Sequence, residues 1–121
     1  YNAAFVLLKE KQYAAAAESF RQFIDAFPSD ALIPNAHYWL GETAYVQEEY
    51  AQAAAHFSEG YESNRTGNKA PDNLLKLGMS LSRSGERENA CVTFEKLESS
   101  FPSRPSALDR ILQNEKQQVP C

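Results

Sequence analysis

The segments YAAAAESFRQFIDAFP (13–28) and RENACVTFEKLESSFP (87–102) are two copies of one pattern, and the chain between them holds a third. Ala16, Ala53 and Ala90 recur at a step of 37 residues, and Phe20, Phe57 and Phe94 keep the same step. Phe27–Pro28 and Phe101–Pro102 lie two steps apart. Gly41 and Gly78 share the register, with Ala4 in that place in the first unit, and Pro34 and Pro71 share it too. A fixed period of this size means stacked supersecondary units, each too small to bury its own apolar face.

Each unit reads as two helices. In the middle unit Leu40, Gly41, Ala44, Ala53, Phe57 and Gly60 fall at helical spacing, interrupted by a polar break at Gln47–Glu49. The last unit gives Leu74, Leu77, Gly78 and Leu81, then Ala90, Phe94 and Leu97. Gly and Ala let two backbones approach, and a phenylalanine fills the space beside them. Pro34 and Pro71 suit a first helical turn, where no amide hydrogen is needed. Helices are expected at about 1–10, 14–27, 32–46, 51–63, 71–84, 88–101 and 105–117. The seventh has Leu108, Ile111 and Leu112 on one side and charge on the other, as a solenoid cap requires.

The pattern resembles the tetratricopeptide repeat, on the spacing Gly41–Ala53–Phe57 and Gly78–Ala90–Phe94–Pro102. The resemblance implies an all-α fold: a right-handed α-solenoid of three helix pairs, at about 1–28, 32–65 and 69–102. A capping helix and tail would follow over about 103–121. The units here are three residues longer than the family's 34. The first unit departs at Ala4, and the third has Arg87 where the others have Tyr13 and Tyr50.

A length of 121 residues suits one domain. No stretch is apolar enough to span a bilayer, and no signal peptide is seen. Because the chain opens inside a helical pattern, it is expected to be part of something longer. The net charge of −4 argues against nucleic acid, since no basic stripe exists to neutralise phosphates.

Groups capable of chemistry are few. His37 and His56 fall on different helices, with no Cys or carboxylate at ligand spacing, so no metal or cofactor is expected. No serine sits in a nucleophile-elbow sequence and no glycine loop cradles phosphate. The triplet Asn64-Arg65-Thr66 matches a glycosylation acceptor, a weak signal at three residues. The reading is a non-enzyme that binds protein on a concave surface.

The first helix of each pair lines that surface. Residues offset from the buried register are Tyr1, Phe5 and Lys9 in the first unit, Asn35, Tyr38, Glu42 and Tyr45 in the second, and Asp72, Leu75, Met79 and Arg83 in the third. Aromatic rings beside single charges suit peptide capture. The competing reading has Tyr38 and Tyr45 packed between repeats, and Trp39 is expected at such an interface. Exchange of Tyr38 and Glu42 for alanine is expected to weaken partner binding while sparing stability. A clamp for a C-terminal carboxylate is disfavoured, because only Lys76 supplies a donor at the matching positions.

Within the repeat superfamily, NAHYWLGE (35–42), APDNLLKLGMSL (70–81) and Ala90–Cys91 resemble the C-terminal repeat domain of the Tol–Pal-associated periplasmic family, YbgF/CpoB. The opening, 1–30, is similar as well. The resemblance implies a periplasmic adaptor of Gram-negative bacteria, contacting TolA and the peptidoglycan synthesis machinery. It would help coordinate outer-membrane constriction with septal peptidoglycan synthesis, and a coiled coil before the repeats would make it trimeric. The alternative is a repeat scaffold of an outer-membrane protein assembly complex.

Two cysteines remain. A short connection makes the sixth and seventh helices antiparallel, which returns the chain end to the level of Cys91. Either Cys91 is a buried free thiol and Cys121 a frayed end, or the two are bonded. The even count, with the oxidising periplasm that the family resemblance implies, favours a Cys91–Cys121 disulfide.

Overall fold

A computed structural model describes all 121 residues and contains seven helices and no strand. These are α1 (Asn2–Lys9), α2 (Tyr13–Ala26), α3 (Ile33–Val46), α4 (Tyr50–Ser63), α5 (Ala70–Arg83), α6 (Arg87–Ser100) and α7 (Ser106–Gln118). Consecutive helices pack on one another, and α3 also touches α5 as α5 touches α7. The chain is therefore an α-solenoid of helix pairs α1/α2, α3/α4 and α5/α6, and α7 caps it.

The repeat register is a packing register. Phe20, Phe57 and Phe94 are 0%, 0% and 1% exposed. A methyl group on Gly41 would lie 2.5 Å from the Phe57 ring, and Gly78 stands against Phe94 in the same way. The aromatic ring occupies the volume that a side chain on the facing helix would need. In the first pair Ala4 takes the glycine's place and is itself fully buried with Ala16 and Phe20. Gly60 serves a different contact: its bare Cα admits the amide of Asn73, a fully buried residue that donates to the carbonyl of Pro34 at 3.4 Å.

The turns repeat with the same step. Lys11, Glu48 and Gly85 close the first helix of each pair with φ of 61°, 61° and 91°. At each turn the next amide reaches back to the last helical turn: Gln12 to Leu7 at 2.9 Å, Glu49 to Ala44 at 3.0 Å and Glu86 to Leu81 at 2.9 Å. This is a left-handed helix stop, which glycine tolerates and other residues resist. Only the third copy uses glycine. Glu48→Gly is thus expected to stabilise the fold by about 0.5–1 kcal/mol, after the larger unfolded-state entropy of glycine is set against the relieved strain. A urea midpoint that fell instead would refute that account of the turn. The second helices end differently. Phe27 and Phe101 precede proline, which favours extended backbone there, whereas α4 ends on Asn64.

α7 buries Leu108 and Leu112, and Val119 just after it, in one cluster with Leu74, Leu75, Met79 and Leu97. Ile111, expected on the buried side, is instead 44% exposed. Residues 108 and 112 share a face one turn apart, and 111 lies about 100° away from 112 around the helix. The place expected for Ile111 is taken further along by Glu115, which is buried and pairs with Arg83 of α5 at 2.8 Å. Cys91 of α6 and Cys121 form a disulfide with Cα atoms 5.7 Å apart.

Candidate functional site

The inner face is built from α1, α3, α5 and α7, and its aromatic rings carry cations. Phe5 meets Trp39 edge-on with centroids 5.0 Å apart, and Lys9 lies 5.0 Å from the Phe5 centroid. Trp39 meets Tyr38 at 5.1 Å, and Lys69 sits 4.2 Å from the Tyr38 centroid. One turn along α3, Glu42 pairs with Lys76 at 3.0 Å. Lys76 and Arg83 both approach the Tyr45 ring, at 5.1 and 5.5 Å. Cations over aromatic faces contribute about 0.5–1 kcal/mol each where solvent reaches them.

These contacts divide the expected patch. Tyr38, Glu42, Tyr45, Asp72 and Arg83 stand along the α3–α5 seam, and Phe5 lies with Trp39 at its α1 end. Asn35 is half-buried beside the hydroxyl of Tyr1. Met79 departs from the expectation. It is only 8% exposed, because α7 packs over that part of α5 and draws Met79 into the core. Leu75 is buried for the same reason, and Arg83 is engaged by Glu115. Tyr38 and Glu42 also have structural work: the Tyr38 ring meets Phe57 at 5.6 Å, and Glu42 holds Lys76. With these contacts in place, their joint exchange for alanine is expected to cost stability as well, where the sequence alone suggests that it is spared.

The surroundings keep the two phenols of the face neutral. Burial raises the Tyr38 phenol well above its ordinary value, and the charges of Glu42 and Asp72 add to the effect. Burial pushes Tyr45 up to about 12, with Arg83 opposing. Both hydroxyls are thus neutral donors at any physiological pH. The hydrogen bond to Glu115 raises the already high value of Arg83.

Sequence reasoning missed several members of this surface. Lys69, Leu108 and Ile111 border it, and the last two line a recess of about 250 Å³ with Tyr38, Asp72, Leu75 and Lys76, the residue already noted at a clamp position. Lys69 was legible in principle, because it precedes Pro71 at the start of a helix that faces Tyr38. The two histidines lie elsewhere, on α3 and α4. His37 Nδ1 comes within 3.9 Å of Glu59, a carboxylate the linear spacing did not suggest. Burial lowers both imidazoles below their ordinary value, and Glu59 offsets part of this. No helix is long and apolar enough to cross a membrane.

Tetratricopeptide repeat family models match residues 1–69 and 72–103. Curated relatives from Pseudomonas putida and Escherichia coli carry the description cell division coordinator CpoB. The one from Pseudomonas putida is 43% identical over 42 residues, which is 35% of this chain and 16% of the relative. The one from Escherichia coli is 41% identical over 46 residues, 37% of this chain and 18% of the relative. The aligned stretch spans about a sixth of each relative's length.

Proposed function

This chain belongs to the tetratricopeptide repeat family, and from that premise we propose that it is a non-catalytic protein-interaction module of the cell-envelope division machinery. In this reading it works in the periplasm within the Tol–Pal system. It binds TolA, or a protein like it, through the inner face, and links outer-membrane constriction to septal peptidoglycan synthesis. Asn35, Tyr38, Glu42, Tyr45 and Asp72 are its contact residues, with Phe5 at one end and Arg83 at the other.

The observation that carries the reading is the character of the inner face. It holds a continuous run of rings, Phe5, Trp39 and Tyr38, each within reach of the next, flanked by ordered charges. Rigid amphipathic rings give contact area at small entropic cost, and such residues dominate measured interfaces. The similarity to two cell division coordinators supplies the physiological setting.

Titration of the domain with the periplasmic part of TolA, followed by calorimetry, tests this. Tyr38→Ala is expected to weaken binding by about 1–2 kcal/mol, roughly five- to thirtyfold, as an interface hot spot does. Because Tyr38 also packs on Phe57, the affinity is compared per folded molecule, with folding checked by circular dichroism. Undiminished affinity in the folded variant would remove the inner face from the interface. Retention of an outer-membrane assembly protein in place of TolA would move the module to that machinery.

A further inference from the structure

The recess between α3, α5 and α7 has a composition of its own. Its floor is apolar, formed by the buried Leu75 and Leu108, and exposed Ile111 forms a rim. Tyr38 lines it as well. Two charged residues line it. Lys76 is neutralised by Glu42 at 3.0 Å. Asp72 takes part in no ion pair of the chain. It stands near enough to Tyr38 to oppose ionisation of the phenol. The recess thus offers an apolar well edged by one carboxylate that forms no ion pair within the chain, while Lys69 stands over the Tyr38 ring. Its volume of about 250 Å³ is below the roughly 300–1,000 Å³ usual for small-molecule sites, and suits one or two side chains of a peptide.

We propose that this recess is a subsite for an aliphatic side chain adjoined by a lysine or arginine in a partner segment. The aliphatic group fills the well against Leu75, Leu108 and Ile111, and its cationic neighbour meets Asp72. The inference rests on the inner face being the interaction surface, and it gives α7 a second role. Besides capping the core, α7 supplies a wall of the site, which a solenoid ending at α6 would lack. An acidic neighbour would face Asp72 and be rejected, so the subsite selects among apolar segments by charge.

The test uses two capped hexapeptides, Gly-Ser-Leu-Lys-Gly-Ser and Gly-Ser-Leu-Glu-Gly-Ser, titrated into the domain carrying labelled Leu and Ile methyl groups. The lysine peptide is expected to shift the methyl signals of Leu75, Leu108 and Ile111. It is expected to bind about two- to fivefold more tightly than the glutamate peptide, the preference that a partly exposed ion pair provides. Asp72→Asn should level the two, and Asp72→Lys should reverse them. Equal binding of both peptides to the unaltered domain, or lysine-peptide shifts that spare Ile111, would overturn the proposal, as would no shift at all. TolA takes no part in the experiment, so its result is separate from the question of which protein is the partner.

Discussion

Phe57→Ala is expected to destabilise the domain by about 3–5 kcal/mol, the range for deletion of a large buried ring. Phe57 is fully buried in the middle helix pair, packed with Ala44 and Ala53 and flanked by Tyr38, Tyr45 and Leu77. The space its ring leaves cannot be refilled by a neighbour, because the facing residue is Gly41, which has no side chain to move. In a solenoid each unit is stabilised by the next, so loss of the middle pair releases both ends. Chemical denaturation followed by circular dichroism measures the loss, and amide exchange shows whether α1/α2 and α5/α6 open with α3/α4. A loss below about 1 kcal/mol would mean that the ring is not the element on which the repeats are registered. The contact with Gly41 gives a sharper check. Gly41→Ala alone forces a methyl to within 2.5 Å of the Phe57 ring and overpacks the crossing. Combined with Phe57→Leu, the two changes should cost less than their separate losses together, since residues in contact are not additive.

The same register explains what was legible in the sequence. The step of 37 residues fixes which Phe meets which Gly, because each contact is made within one helix pair and then copied. Even the left-handed turns at Lys11, Glu48 and Gly85 keep the step, although only Gly85 announces itself by residue type. Contacts outside the repeated plan were hidden. The setting of α7 depends on one seam with α5, and no second copy of that seam exists to reveal its phase. Hence Ile111 reads as an inside residue, whereas the structure leaves it exposed and buries Glu115. The burial of Glu115 requires Arg83, 32 residues earlier, and the pair has no local signature. Met79 follows from the same seam: it has the offset of a groove residue and becomes core only because α7 lies over it. Asn73 is hidden for another reason. A polar residue beside Leu74 and Leu75 reads as surface, until Gly60 opens a gap in α4 for its amide.

Breaking the disulfide is expected to free the cap. The bond joins Cys91 to Cys121 across a separation of 30 residues, a loop that contains all of α7. In the chain-entropy account, closing a loop of this length stabilises by about 3–4 kcal/mol. The other attachments of α7 are few. Leu108 and Leu112 are its buried apolar groups, joined by Val119 just past its end, two residues before Cys121. The ion pairs Arg83–Glu115, Lys116–Glu98 and Arg104–Asp109 reach α7 from α5, α6 and the connecting loop, but most of their members are partly open to solvent, where such pairs contribute little. Cys121→Ser should therefore lower the unfolding midpoint markedly, and α7 should exchange its amides well before α3 and α4 do. Reducing the unaltered protein should reproduce that loss, while adding reductant to Cys121→Ser should change nothing further. The uncovered face of α5 and α6, with Leu74, Met79 and Leu97, would then be open, and association of the reduced domain is expected at high concentration. Alkylation of the unreduced, denatured protein decides the premise. Two reactive thiols would remove it, and a midpoint unmoved by reductant would show that the apolar seam alone holds the cap in place.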